Sequence, residues 1–239
     1  MLSSSLTHDR NDDRPRAVAV HANCIVGRDG LIFGWQPTTM NYFRSYGMVI
    51  LVFLLAPVAS SFAQQEFFPS GALGETPQLD KGTSRWYSSQ LHALHEPSLW
   101  ELSRSEDGQT YRFLWLRTWN HPMSVRLDIK ADGTGRLFTK VSSGTGGDDP
   151  GKLILDQTRE LTKKQVAVLQ LKVKTIEFWT LPTGEMSGGR DGARWIVEAS
   201  CQRRYHIVDR WSPGSGPVRE LALYLVHLSD LEIPPKDLY

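Results

Sequence analysis

The chain predicts an α+β fold: a single domain with a largely antiparallel sheet of about five or six strands and two or three helices packed mainly on one face. Three observations carry this expectation. Residues 124–143 and 193–213 each read as a β-hairpin, and adjacent hairpins imply antiparallel pairing. Residues 161–179 and 216–231 carry apolar residues at helical spacing. The strands cluster instead of alternating with helices, which argues against a doubly wound parallel sheet.

The elements follow in chain order. Residues 64–83, "QQEFFPSGALGETPQLDKGT", are polar and bear Gly and Pro, and read as a flexible lead-in. The domain is expected over 84–239. Ser84 is the expected cap of a helix through about Leu94, with Trp86, Gln90, Leu91 and Leu94 on one face and Pro97 beyond its end. Residues 110–119, "TYRFLWLRTW", are aromatic and β-prone. In 124–143, Val125, Leu127 and Ile129 alternate with polar and charged neighbours, "DGTG" supplies the turn, and Leu137 and Val141 lie on the return strand. "GTGGDDPG" is a loop and "KLILDQTREL" (152–161) a further strand. Thr162 caps a helix whose Val166, Leu169, Val173 and Ile176 share a stripe. The hairpin 193–213 turns near Cys201–Gln202. The last helix places Val218, Leu221, Leu225 and Leu228 together, and "EIPPKDLY" is the tail.

The stretch "MNYFRSYGMVILVFLLAPVASSFAQQ" (40–65) has the form of a secretory signal: Arg44, an apolar run from Gly47 to Val58, then small residues. Ser61 and Ala63 suit cleavage between Ala63 and Gln64, which makes 40–63 a signal peptide. The alternative is a single-pass anchor through 47–63, but a spanning helix needs about 20 apolar residues and Pro57 interrupts this one. Either way, contact with a membrane is expected only through this segment. Because a signal normally opens a chain, residues 1–39 are expected to be an over-extended N-terminus, with Met40 the start. The expected location is exported, in the periplasm or secreted.

After that cut the 176 residues from Gln64 carry 22 Lys and Arg against 22 Asp and Glu. A balanced charge argues against nucleic acid as a partner. Cys201 is then the one cysteine, so no internal disulfide is expected, and no nearby base marks it as a nucleophile.

Three local patterns bear on chemistry. "GGDDPGKL" spaces Gly146, Gly151 and Lys152 like a phosphate loop. However, Leu153 stands where a hydroxyl is required, two Asp would repel phosphate, and a strand follows. "HALHE" sets His92 and His95 three apart on a helix, but not in the His-Glu-x-x-His order of zinc proteases. No metal and no cofactor is therefore expected. The last hairpin is the best candidate ligand site, through Trp195, Glu198, Tyr205, His206, Asp209 and Trp211, with Trp179 nearby. With a two-residue turn at 201–202, Arg194 faces Asp209, Glu198 faces Tyr205 and Val197 faces His206. Glu198, Tyr205 and Asp209 then share a face with Ile196 and Ile207, and His206 lies on the other with Trp195 and Val208. The three Trp are either core or the floor of a groove for a sugar or peptide. No catalytic residue is assigned, since no nucleophile has an identifiable activating base.

"EPSLWEL" (96–102), "YRFLWLRTW" (111–119), "EFWTLP" (177–182), "DGARWIVEA" (191–199) and "YHIVDRWSP" (205–213) resemble a set of uncharacterised exported bacterial proteins. The resemblance spans most of 92–239 and implies a bacterial, exported, single-domain protein with no implied activity. Where that set has a Gly-bearing loop in the last hairpin, this chain has "SCQRR". The expected function is a binding domain for an envelope component or another protein. The alternatives are an envelope hydrolase using Glu198, Asp209 or His206, and a proteinaceous inhibitor presenting loop 144–151.

Overall fold

A computed structural model of the chain describes residues 66–184, 189 and 191–239. The expected N-terminal extension, the signal segment and its cleavage site at Ala63 and Gln64 lie outside these residues. Among the described residues no helix is long and apolar enough to cross a membrane.

Over the described residues the fold is α+β: one six-stranded, wholly antiparallel sheet with four α-helices. In chain order the elements are α1 (Pro77–Ala93), α2 (Leu99–Leu102), β1 (Gln109–Arg117), β2 (Met123–Ile129), β3 (Gly135–Ser142) and β4 (Leu153–Leu161). They continue with α3 (Lys163–Thr175), β5 (Ala193–Cys201), β6 (Arg204–Trp211) and α4 (Pro217–Leu228). The sheet order is β4-β3-β2-β1-β5-β6.

The helices do not gather on one face. Side chains alternate across a strand, so β1 sends Tyr111, Phe113 and Trp115 one way and Arg112, Leu114 and Leu116 the other. The first set packs with Val125, Leu127, Leu137, Trp195 and Val197 under α3 and α4, through Val166, Leu169, Leu221 and Leu225. The second packs with Ile196 and Ile207 under α1, through Tyr87, Leu91 and Leu94. The run "FLWL" is the physical reason: a strand apolar at consecutive positions is a strand covered on both faces.

Residues 64–83 are likewise not a flexible lead-in throughout. Phe67 and Phe68 are buried against α1, and the helix already runs through residues 77–83. Its cap is Thr76 rather than Ser84: the Thr76 hydroxyl accepts from the Leu79 N–H, and Pro77 occupies the first helical position. Pro is suited to that position because its missing N–H would have no helical partner there. The cap expected at Thr162 forms in full, with the Gln165 side chain returning a bond to the Thr162 N–H.

The β5–β6 hairpin turns at Gln202–Arg203, both in the left-handed region with φ 48° and 57°. The register is therefore Arg194↔Trp211, Ile196↔Asp209, Glu198↔Ile207 and Ala199↔His206. This is two residues from the expected pairing. A shift of two keeps each side chain on its expected face; a shift of one would have inverted all of them.

Candidate functional site

Helix α1 ends in a Schellman motif. His95 takes the left-handed position at φ 51°, its N–H donates to the His92 carbonyl, and the Glu96 N–H reaches back to the Leu91 carbonyl. This has two consequences. His95 is off the helix, so it shares no helical face with the exposed His92, whose ring packs on Phe67. Among the described residues no cluster of metal-ligating side chains forms. The motif also turns Glu96 onto the buried sheet.

There it meets a like-charged pair. Arg112 and Arg126 are directly opposed across β1 and β2, an arrangement that repels unless a carboxylate intervenes. Glu96 intervenes, accepting from Arg126 Nε at 2.9 Å, with Lys140 Nζ at 3.1 Å and Arg112 Nη1 at 3.6 Å. On the other flank Glu198 receives Arg112 Nε at 2.8 Å and Nη2 at 2.5 Å. Its second oxygen takes the Tyr205 hydroxyl at 2.8 Å. Asp128 pairs with Arg126, and the Pro97 carbonyl accepts from Arg112 Nη1. The side chains of Arg112, Glu96 and Glu198 are wholly inaccessible. Burial disfavours the Arg112 charge, but Glu198 and Glu96 outweigh it, and its pKa lies above the ordinary value. Burial and then Glu198 hold the Tyr205 phenol well above its usual range.

A second group lies on the same face. The Tyr87 hydroxyl donates to Asp209 Oδ2 at 2.6 Å, and Arg194 stands 3.6 Å from Asp209 Oδ1 and stacks on Trp211. Burial raises the Asp209 pKa despite Arg194, and burial followed by Asp209 raises that of Tyr87.

The sheet thus divides the residues singled out from the sequence. Glu198, Tyr205, Asp209 and Trp211 share one face, while Trp195 and His206 lie on the other. Trp195 is fully buried against Trp115, and its indole N–H donates to the Tyr239 carbonyl at 2.9 Å. His206 packs edge-on to Phe178 beside Trp179, and burial lowers its pKa. Trp195 and Trp211 therefore cannot floor one groove. Chemically, the buried ion network links carboxylates to guanidinium, ammonium and phenol groups out of reach of solvent. It ties neighbouring strands together, and of its carboxylates only Asp128, at the rim, keeps a partly exposed side chain.

The accessible aromatic is one that strand propensity concealed. Trp119 is 73% exposed, the highest exposure among the large apolar side chains described. It sits on the turn between β1 and β2, not on the strand. The signal was the "WNHP" that follows "FLWLRT", polar residues and Pro closing a strand. The turn is braced. The Gly146 N–H donates to the Arg117 carbonyl, the His121 ring bonds the Gly144 carbonyl, and the Tyr239 hydroxyl donates to Asn120 Oδ1 at 2.6 Å. Loop 144–151 closes on itself through Gly144 N–H to Pro150 O and Thr145 N–H to Asp149 O. It is tied to α1 by the Trp86 indole N–H to Gly146 O at 2.9 Å and by Gln90 Nε2 to Asp148 O at 3.0 Å. No known family model matches the chain, and no curated protein matches it either.

Proposed function

We propose that the chain is an exported binding domain acting in the bacterial cell envelope or the medium, engaging an envelope component or another protein. The observation that carries the binding reading is Trp119: a large aromatic side chain held out to solvent on a turn tied down from three sides. Trp dominates the energetics of recognition surfaces, and a fixed turn loses little entropy when it docks. The opposite pattern supports a non-catalytic role. Glu198, one of the acid candidates of the hairpin, is saturated by Arg112 and Tyr205 with no exposure. Export rests on the signal-like segment 40–63.

Two measurements test this. The N-terminal mass of the protein recovered from its native host is expected to begin at Gln64, in the periplasm or medium. Cytosolic recovery with an intact N-terminus would overturn export. A photo-reactive amino acid at position 119 is expected to cross-link a partner in native envelopes. Absence of any adduct there, and from a second exposed position such as 171, would overturn binding.

A further inference from the structure

The reading of Trp119 as a docking residue leaves the partner's chemistry open, and the surroundings of that residue narrow it. Loop 144–151 lies directly against the turn. A side chain added at Gly147 would stand 3.7 Å from Thr118, the residue before Trp119. The next two loop residues are Asp148 and Asp149, both exposed. One Asp149 oxygen accepts the Gly151 N–H, and no described cation forms an ion pair with either carboxylate. Lys152 is the nearest base in sequence. It lies at the base of the loop, where its carbonyl accepts the Ser143 N–H, while the Asp pair is at the tip. Trp86, half-buried on α1, borders the loop from the other side.

We infer that the Trp119 turn and the Asp148–Asp149 tip form one docking surface for a basic segment of a partner protein, one that presents Arg or Lys side chains. The chemistry is complementary twice over. An aromatic face attracts a cation through its ring quadrupole, and paired carboxylates accept charge-assisted bonds from guanidinium in fork geometry. The same carboxylates repel anionic partners. The bracing bonds hold the turn and the loop together, so their backbones require no reorganisation on binding. This inference rests on the binding reading above and adds the partner's charge to it.

The test uses the purified protein and three labelled peptides: a Gly/Ser peptide with interspersed Arg, the same peptide with Glu in place of Arg, and the uncharged parent. Anisotropy is expected to show binding of the Arg peptide alone, weakened by salt in the manner of exposed charges. Trp119→Ala and Asp148→Asn/Asp149→Asn are each expected to weaken it about tenfold, a loss of about 1.4 kcal/mol. Both variants alter exposed side chains, and an unchanged melting temperature certifies their fold. Equal binding of the three peptides, absence of binding, or Arg-peptide binding that survives Trp119→Ala overturns the inference. Cross-linking separates this from the parent reading. A partner captured from position 171 but not 119 overturns this surface and leaves a binding domain. No partner from either position overturns both.

Discussion

Arg112 and Glu198 face each other across the β1–β5 seam of the sheet, 86 residues apart in sequence, and two guanidinium nitrogens converge on one carboxylate oxygen. Neither side chain has any exposure. A pair so enclosed is costly to desolvate and costlier to break, since removing one partner strands the other's charge. Glu198→Gln is expected to lower stability by about 3–5 kcal/mol in urea unfolding. Replacing both residues with apolar ones (Arg112→Met with Glu198→Leu) is expected to cost less than the sum of the single changes. Additive losses would show that the pair is not coupled.

The Trp86 indole bond to Gly146 O is, with the Gln90 amide bond to Asp148 O, one of the ties between α1 and loop 144–151. Trp86→Phe keeps a ring and removes the donor. The expected loss is about 0.5–1.5 kcal/mol, the net worth of one neutral hydrogen bond. Amide exchange is expected to quicken in the loop and not in β1; uniform quickening would contradict a local tie.

Gly146 is irreplaceable for a different reason. An added Cβ would lie 2.5 Å from the Arg117 N and Leu116 C atoms, backbone that cannot step aside. Gly146→Ala is expected to cost about 1–3 kcal/mol, the range for forced overpacking. At Gly184 an added Cβ meets nothing within 4 Å, so Gly184→Ala is the neutral control. Equal melting temperatures for the two variants would refute the packing argument.

Asp209 and His206 give opposite pH signatures. Burial raises the folded pKa of Asp209 above its ordinary 3.8, so the folded state holds its proton longer than the unfolded state does. Its contribution is therefore full below that value and is lost as pH rises through the raised pKa. Relative to Asp209→Asn, the parent is expected to lose stability over that rise. A flat difference between the two curves would refute the shift.

Burial lowers the folded pKa of His206 below its ordinary 6.5. The unfolded state then binds the proton first, so stability is full above 6.5 and is lost as pH falls through the depressed value. His206→Phe is expected to remove that acid-side loss, read from urea midpoints between about pH 4 and 8. A variant that tracks the parent at every pH would show that His206 is not the group responsible.

Much of this was legible in the sequence, and the misses have identifiable causes. The six strands and the helices α3 and α4 follow from alternation and helical spacing, and the Thr162 cap from its position. The face assignment of Glu198, Tyr205, Asp209 and His206 held although the register was displaced, because parity, not pairing, decides the face. The turn itself was obscured: Gln202 and Arg203 both adopt positive φ, a conformation that glycine usually announces. The start of α1 was announced, by Thr76 and Pro77, but within a stretch whose glycines suggested loop. The pairing of Arg112 with Glu96 and Glu198 could not be read at all. It depends on β1 meeting β5 and on a left-handed His95, neither of which leaves a local mark in the sequence.

The strand order also bears on how the chain assembles. Of the five ladders, four join strands that follow one another in sequence; only β1 and β5 are brought together from afar. The sheet is thus two locally built pieces, a four-stranded meander and a terminal hairpin, closed along a single seam. Seam closure carries the loop entropy, so it is expected to limit the folding rate. Polypeptides severed after Gly184 would then have all their local pairing intact and only the seam to re-form. The Arg112–Glu198 bond, which spans that seam, makes re-association of the two fragments the direct readout of how much the seam contributes.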